Sequence, residues 1–118
     1  MVNEHQWDQV INRLAVGTEQ GQIDWETLPS GARENVVGHV YRAHVLNKTL
    51  VCYEYEYDEY GSVSATEPPT DVAVEFVDPN TNKCTWRVPS TPSSRELIEA
   101  VRYRAAGAEE FLRTFLAS

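Results

Sequence analysis

Positive charge is scarce in this chain: Lys and Arg supply 10 of 118 residues against 18 Asp and Glu, a formal charge of -8 at pH 7. A groove that tracks a phosphate backbone needs clustered Lys and Arg, so nucleic acid is not an expected partner, whereas a basic protein is. Cysteine is equally sparse. Cys52 and Cys84 are too few for a disulfide framework. With one strand between theirs, the two Cα atoms lie about 9 to 10 Å apart, beyond the roughly 7 Å that a disulfide spans. Two free thiols are expected. Neither cysteine has a Cys-x-x-Cys neighbour or a His at ligand spacing, so no metal is expected on them. No apolar run reaches the roughly 18 residues of a membrane span, and residues 1–6 lack the basic and apolar regions of a secretory signal. A cytoplasmic chain without membrane contact is the expectation. Also missing are Gly-x-Ser-x-Gly, a Gly-rich phosphate loop and His-Glu-x-x-His. No cofactor is implied.

At this length the chain forms a single domain, residues 1–118, that buries about two-thirds of its unfolded surface. Its most informative stretch is Val51 to Tyr60. Strict alternation places Val51, Tyr53, Tyr55 and Tyr57 on one face of a strand and Glu54, Glu56 and Asp58 on the other. That pattern belongs to an antiparallel sheet with one covered and one wet face, and it assigns the tyrosines to the covered side. Four strands are expected, Val36 to Leu46, Thr49 to Asp58, Asp71 to Asp78 and Lys83 to Val88, ordered as a meander. Asn47-Lys48 and Pro79 to Asn82 make the hairpin turns. Ile23 to Glu26 forms a brief strand or an extended lead-in. Before the sheet, Trp7, Val10, Ile11 and Leu14 mark an amphipathic helix from Asn3 to Ala15, capped by Asn3 and stopped by Gly17. After it, Ser93 and Glu96 form a capping box. Leu97, Val101, Ala105, Ala108, Leu112 and Phe115 then continue one apolar stripe, which Gly107 splits or kinks. The fold class is α+β: an N-terminal helix, a four-stranded antiparallel sheet, and C-terminal helices packed on one sheet face. Trp86 falls in the core, so that Trp86→Ala would lower stability by about 3 to 5 kcal/mol.

The carboxylates Glu54, Glu56, Asp58 and Glu59 form the candidate binding surface, a docking edge for a cationic protein. As a calcium loop they fail, because an EF-hand starting at Glu54 requires Gly where Glu59 stands and Glu where Ala65 stands. The plainer reading is a solvated sheet face. Tyr53, Tyr55, Tyr57 and Tyr60 have the spacing of a base-stacking platform. Such platforms are flanked by Lys and Arg, whereas these tyrosines are interleaved with acids, and sheet packing is the expected use. His39 and His44 point to opposite faces of one strand and do not act as a pair. Residues 1–60 hold ten acids and four bases, and residues 61–118 hold eight and six. The acidic sheet edge of one copy can therefore meet the Arg95, Arg102, Arg104 and Arg113 region of another, as a homodimer.

Val10, Ile11, Leu14, Thr18, Gly21, Ile23 and Trp25, together with Glu96 to Val101 and Glu110 to Leu112, resemble a group of small uncharacterised bacterial and phage proteins. These open with a helix and a Thr-x-x-Gly-x-Ile-x-Trp segment and close with a sheet and helices. The resemblance implies the same α+β order and attaches no activity. The functional expectation is a small acidic protein that acts through protein contacts, of accessory, immunity or inhibitor type. The alternative is a small enzyme or ligand binder with a pocket between sheet and helices, using His39 beside Tyr41.

Overall fold

The computed structural model describes residues 2–31, 33–57 and 69–118. Helix α1 (Glu4–Glu19) begins where Asn3 accepts the Gln6 N–H at 3.2 Å, the expected cap. Gly17 does not end it. That glycine is buried inside the helix, where a Cβ would meet Ile23 Cδ1 at 3.0 Å. The chain turns instead at Gly21, whose φ of +75° suits a residue without a side chain. Thr18, fully buried, donates to the Leu14 carbonyl at 2.7 Å and accepts the Trp25 indole N–H at 2.9 Å. The Thr-x-x-Gly-x-Ile-x-Trp segment is thus a local clip that folds the chain back along α1.

Five strands follow, β1 (Glu26–Leu28), β2 (Val36–Val45), β3 (Lys48–Glu56), β4 (Thr70–Val77) and β5 (Cys84–Arg87), then α2 (Ser93–Ala105) and α3 (Ala108–Ala117). They form one antiparallel sheet in the order β1-β2-β3-β4-β5. The α+β class and the meander are as the sequence indicates, and the short lead-in after Trp25 supplies a fifth, edge strand. The first hairpin turns on Leu46 and Asn47, not Asn47 and Lys48, because both central residues take positive φ (50° and 64°) and Val45 pairs with Lys48. Leu46 is left 91% exposed.

Two apolar clusters flank the sheet. The larger joins Ile11, Leu14 and Ala15 of α1 with Leu97, Ile98 and Val101 of α2 against Tyr41, Leu50, Cys52, Val72 and Val74. The smaller, on the opposite face, holds Val40, Val51, Tyr53, Ala73 and Val77. The faces of β3 are therefore reversed from the sequence expectation: Leu50, Cys52 and Glu54 point to the helices, and the tyrosines point away. Alternation is intact. What it did not contain is that two apolar residues at the start of β3 choose the helix side, and that arginines of α2 accommodate the acid that follows them.

At β5 a register shift between Phe76 and Val77 pairs Val77 with Cys84 but Phe76 with Trp86. Cys84 consequently leaves the Trp86 face. Trp86 stays on the helix side, against Trp7 (ring centroids 5.0 Å) and Phe76 (6.0 Å), yet it is 38% exposed at the sheet edge. This corrects its placement in the core. Trp86→Ala is now expected to lower the unfolding free energy by about 1 to 2 kcal/mol, below the range for a buried tryptophan, since part of the ring is already wet. Urea unfolding of the variant checks this.

The capping box is not formed. The N-cap of α2 is Pro92, and the Ser93 N–H is held at 3.1 Å by Asp8 of α1, which ties the two helices together. Beyond α2 the apolar stripe does not continue into the core. Gly107, at φ +69°, turns the chain, and α3 has no buried residue.

Candidate functional site

Of the four carboxylates proposed as one surface, two lie among the described residues, Glu54 and Glu56. Glu54 is only 8% exposed, which corrects its expected place on a wet face. Arg95 Nη1 and Arg102 Nη2 of α2 approach its carboxylate at 2.7 and 2.8 Å, and the Thr70 hydroxyl donates to it at 2.7 Å. Arg102 Nη2 also donates to the Val37 carbonyl at 3.2 Å, beside the β2 irregularity where Gly38 takes φ +80°. Burial alone would raise the Glu54 pKa. The Thr70, Arg95 and Arg102 hydrogen bonds, with the charge of Arg102, outweigh it and hold the group at about 2. This is a clamp between β3 and α2, not a docking edge. Glu54, Arg95 and Arg102, expected to meet between two copies, pair within one chain. Glu56 is exposed, and Asp58 and Glu59 lie outside the described residues.

The space between sheet and helices, where a pocket was the alternative expectation, is filled by Ile11, Cys52, Leu97, Ile98 and Val101, all fully buried. Burial pushes the Cys52 thiol up to about 12, against the opposing charge of Arg102. His39 is exposed and lies edge-on to Tyr41 at 6.3 Å, while His44 Nδ1 meets Thr49 Oγ1 at 3.0 Å.

The helix-free face of the sheet is built differently. Tyr53, Tyr55 and Tyr57 form a ladder along β3 with ring centroids 6.1 and 6.3 Å apart. Arg33 lies over the Tyr53 ring at 5.4 Å and Arg87 over Tyr55 at 4.6 Å. The acids that interrupt the tyrosines in sequence point to the other face, and the arginines come from the loop before β2 (Arg33) and from β5 (Arg87). At one end of the ladder Glu75, 5% exposed, accepts from Arg33 Nη2 at 3.1 Å and from the Tyr53 hydroxyl at 2.7 Å. Burial, then the hydrogen bond to Glu75 and its charge, push the Tyr53 hydroxyl up to about 12. Cys84, free and exposed, sits at the rim. Desolvation first, and then the charge of Glu75, raise its pKa, which disfavours the nucleophilic thiolate.

A third feature is α3. Phe111, Leu112, Phe115 and Leu116 are 67, 52, 65 and 75% exposed, and they occupy one side of the helix. The two phenyl rings stack with centroids 5.5 Å apart. Glu109 is drawn back to Arg104 of α2 at 2.8 Å. Sequence reasoning took Leu112 and Phe115 for core because the apolar period runs on through Gly107; the turn at that glycine was the signal that they are not. Among the described residues no helix is long and apolar enough to cross a membrane. Comparison of the chain with known protein families, curated proteins and solved structures gives no significant match.

Proposed function

We propose that the chain is a non-enzymatic protein that acts through protein contacts, that α3 is its contact surface, and that a second copy of the chain occupies it. The exposed apolar stripe of α3 carries this reading. Four large side chains more than half exposed on one helix amount to roughly 500 Å² of apolar surface, at the upper end of what a monomer leaves open. Face to face, two such stripes bury about 1,000 Å², the threshold of a stable specific contact. The stripe is its own complement, as a two-fold interface requires. A lipid surface is the poorer occupant, because Glu109 and Glu110 outnumber Arg113, whereas interfacial helices carry Lys and Arg. An accessory, immunity or inhibitor role in the cytoplasm fits such a protein, with a basic partner as the competing occupant.

Light scattering on the size-exclusion peak of the wild type at about 100 µM is expected to give twice the 13.4 kDa chain mass. Phe115→Asp is expected to give the single mass, with a dimer dissociation constant raised at least about 100-fold. Its thermal midpoint at low concentration should be unchanged, since the ring is not part of the chain's own core. A monomeric wild type at that concentration, or a Phe115→Asp dimer, overturns the reading. Capture of basic peptides by a monomeric wild type would transfer the surface to the competing occupant.

A further inference from the structure

We infer that the groove on the helix-free face of the sheet is a binding site for a small organic anion, a carboxylate or phosphate carried on a flat apolar body. The groove encloses about 490 Å³, within the range of small-molecule sites. Tyr53 and Glu75 lie at its floor. Its walls are the segment Leu28 to Gly31, which follows β1, and the turn Thr81 to Cys84 between β4 and β5. These segments are about 50 residues apart in sequence, and a polar network fixes them together. Arg33 Nη2 donates to the Asn82 carbonyl at 2.8 Å, and Arg42 Nη1 donates to Asn82 Oδ1 at 2.8 Å. Asn82 itself takes φ +61°, so the turn is held in one shape. The site is formed before any ligand arrives, which lowers the ordering cost of binding.

The donor and acceptor inventory sets the sign of the ligand charge. Each oxygen of Glu75 already accepts a hydrogen bond, one from Arg33 and one from Tyr53. The charge of Glu75 is already compensated by Arg33, which leaves little to attract a cation. Arg33 makes both of its bonds through Nη2, so Nε and Nη1 have no hydrogen-bond partner among the described residues while the side chain keeps 21% exposure. Nε and Nη1 lie on different edges of the guanidinium, so each can donate one further charge-assisted hydrogen bond to a carboxylate or phosphate, and Lys83 adds a second positive charge at the rim. The lining therefore carries two cations and one acid, a net charge of +1, in a chain of charge -8. Leu28, Pro29 and the Tyr53 ring supply the apolar walls, which is why the ligand is organic and not a bare ion.

The test is a two-dimensional amide NMR titration of the intact chain with benzoate, phenyl phosphate and inorganic phosphate. Saturable shifts confined to residues 28–33 and 81–84 are expected with one or both aromatic anions, and whichever binds more tightly names the headgroup. Inorganic phosphate should bind at least about tenfold more weakly. Lys83→Glu, an exposed substitution that preserves the fold, should weaken the aromatic anion about tenfold or more at an unchanged melting temperature. Arg33→Lys keeps a cation for Glu75 and loses the spare Nε and Nη1 donors, and should weaken binding similarly. No localised shift up to about 20 mM of either aromatic anion, or affinity unaffected by Lys83→Glu and Arg33→Lys, overturns the assignment. Equal affinity for inorganic phosphate overturns the organic ligand.

Discussion

Lowering the pH from 6 to 3 is expected to remove about 2 kcal/mol of unfolding free energy through Glu54 alone, out of about 3 kcal/mol that its shifted ionisation contributes. The folded carboxyl titrates at about 2 and the unfolded one at its ordinary 4.5. As the pH falls, the unfolded chain takes up the proton first. The stabilisation is therefore complete above about pH 5 and is lost progressively as the pH drops through 4.5 toward 2. Glu54→Gln keeps an acceptor for the Thr70 hydroxyl but removes the charge facing Arg95 and Arg102. Urea melts should find that variant about 2 to 3 kcal/mol less stable at pH 6 and within about 1 kcal/mol of wild type at pH 3. Parallel pH profiles for the two proteins would mean that the clamp is solvated and that Arg95 and Arg102 contribute no more than surface ion pairs.

The Glu54 clamp also marks the boundary of what was legible in the sequence. Periodicity identified α1, a C-terminal helical region with its division at Gly107 left open, and four of the five strands, because period 2 and period 3.6 are local properties of the chain. It placed Val72, Val74 and Phe76 together and split the tyrosines of β3 from the acids. It did not tell which set met the helices. That choice depends on Arg95 and Arg102, about 40 to 50 residues downstream, and on Leu50 and Cys52, whose apolar side chains outweigh one acid once that acid has partners. The same shortfall hid the site on the other face. Tyr53 and Tyr55 read as flanked by acids along the strand, but a side chain's neighbours on a sheet are across strands and at i±2. The arginines over these rings come from β5 (Arg87) and from a loop that folds over the sheet (Arg33). Alternation through Lys83 to Val88 would put Cys84 on the Trp86 face, and the register shift that turns it to the other face is announced by nothing in that segment. Gly107 was legible as a break but not as a change of direction, so the exposed face of α3 passed for core.

The Arg33–Glu75 pair should show the largest mutational asymmetry in the chain. Arg33→Met is expected to cost about 2 to 4 kcal/mol, since it leaves a carboxylate with 5% exposure held by the Tyr53 hydroxyl alone. Glu75→Gln should cost less, about 1 to 2 kcal/mol, because the amide still accepts from Tyr53 and the guanidinium it abandons is 21% exposed and keeps its bond to the Asn82 carbonyl. The double variant Arg33→Met, Glu75→Gln removes both charges and should be more stable than Arg33→Met alone by at least about 1 kcal/mol. Denaturant melts of the four proteins form a complete cycle. Additive losses would mean that Glu75 is hydrated in solution and that the groove floor is not the dry ion pair described here. The expected non-additivity has a functional corollary. A pair whose joint removal costs less than the loss of Arg33 alone is not the main support of the sheet, since the larger apolar cluster lies on the helix side. Its place on the helix-free face, joining two distant loops around a groove, is then explained by what the groove binds.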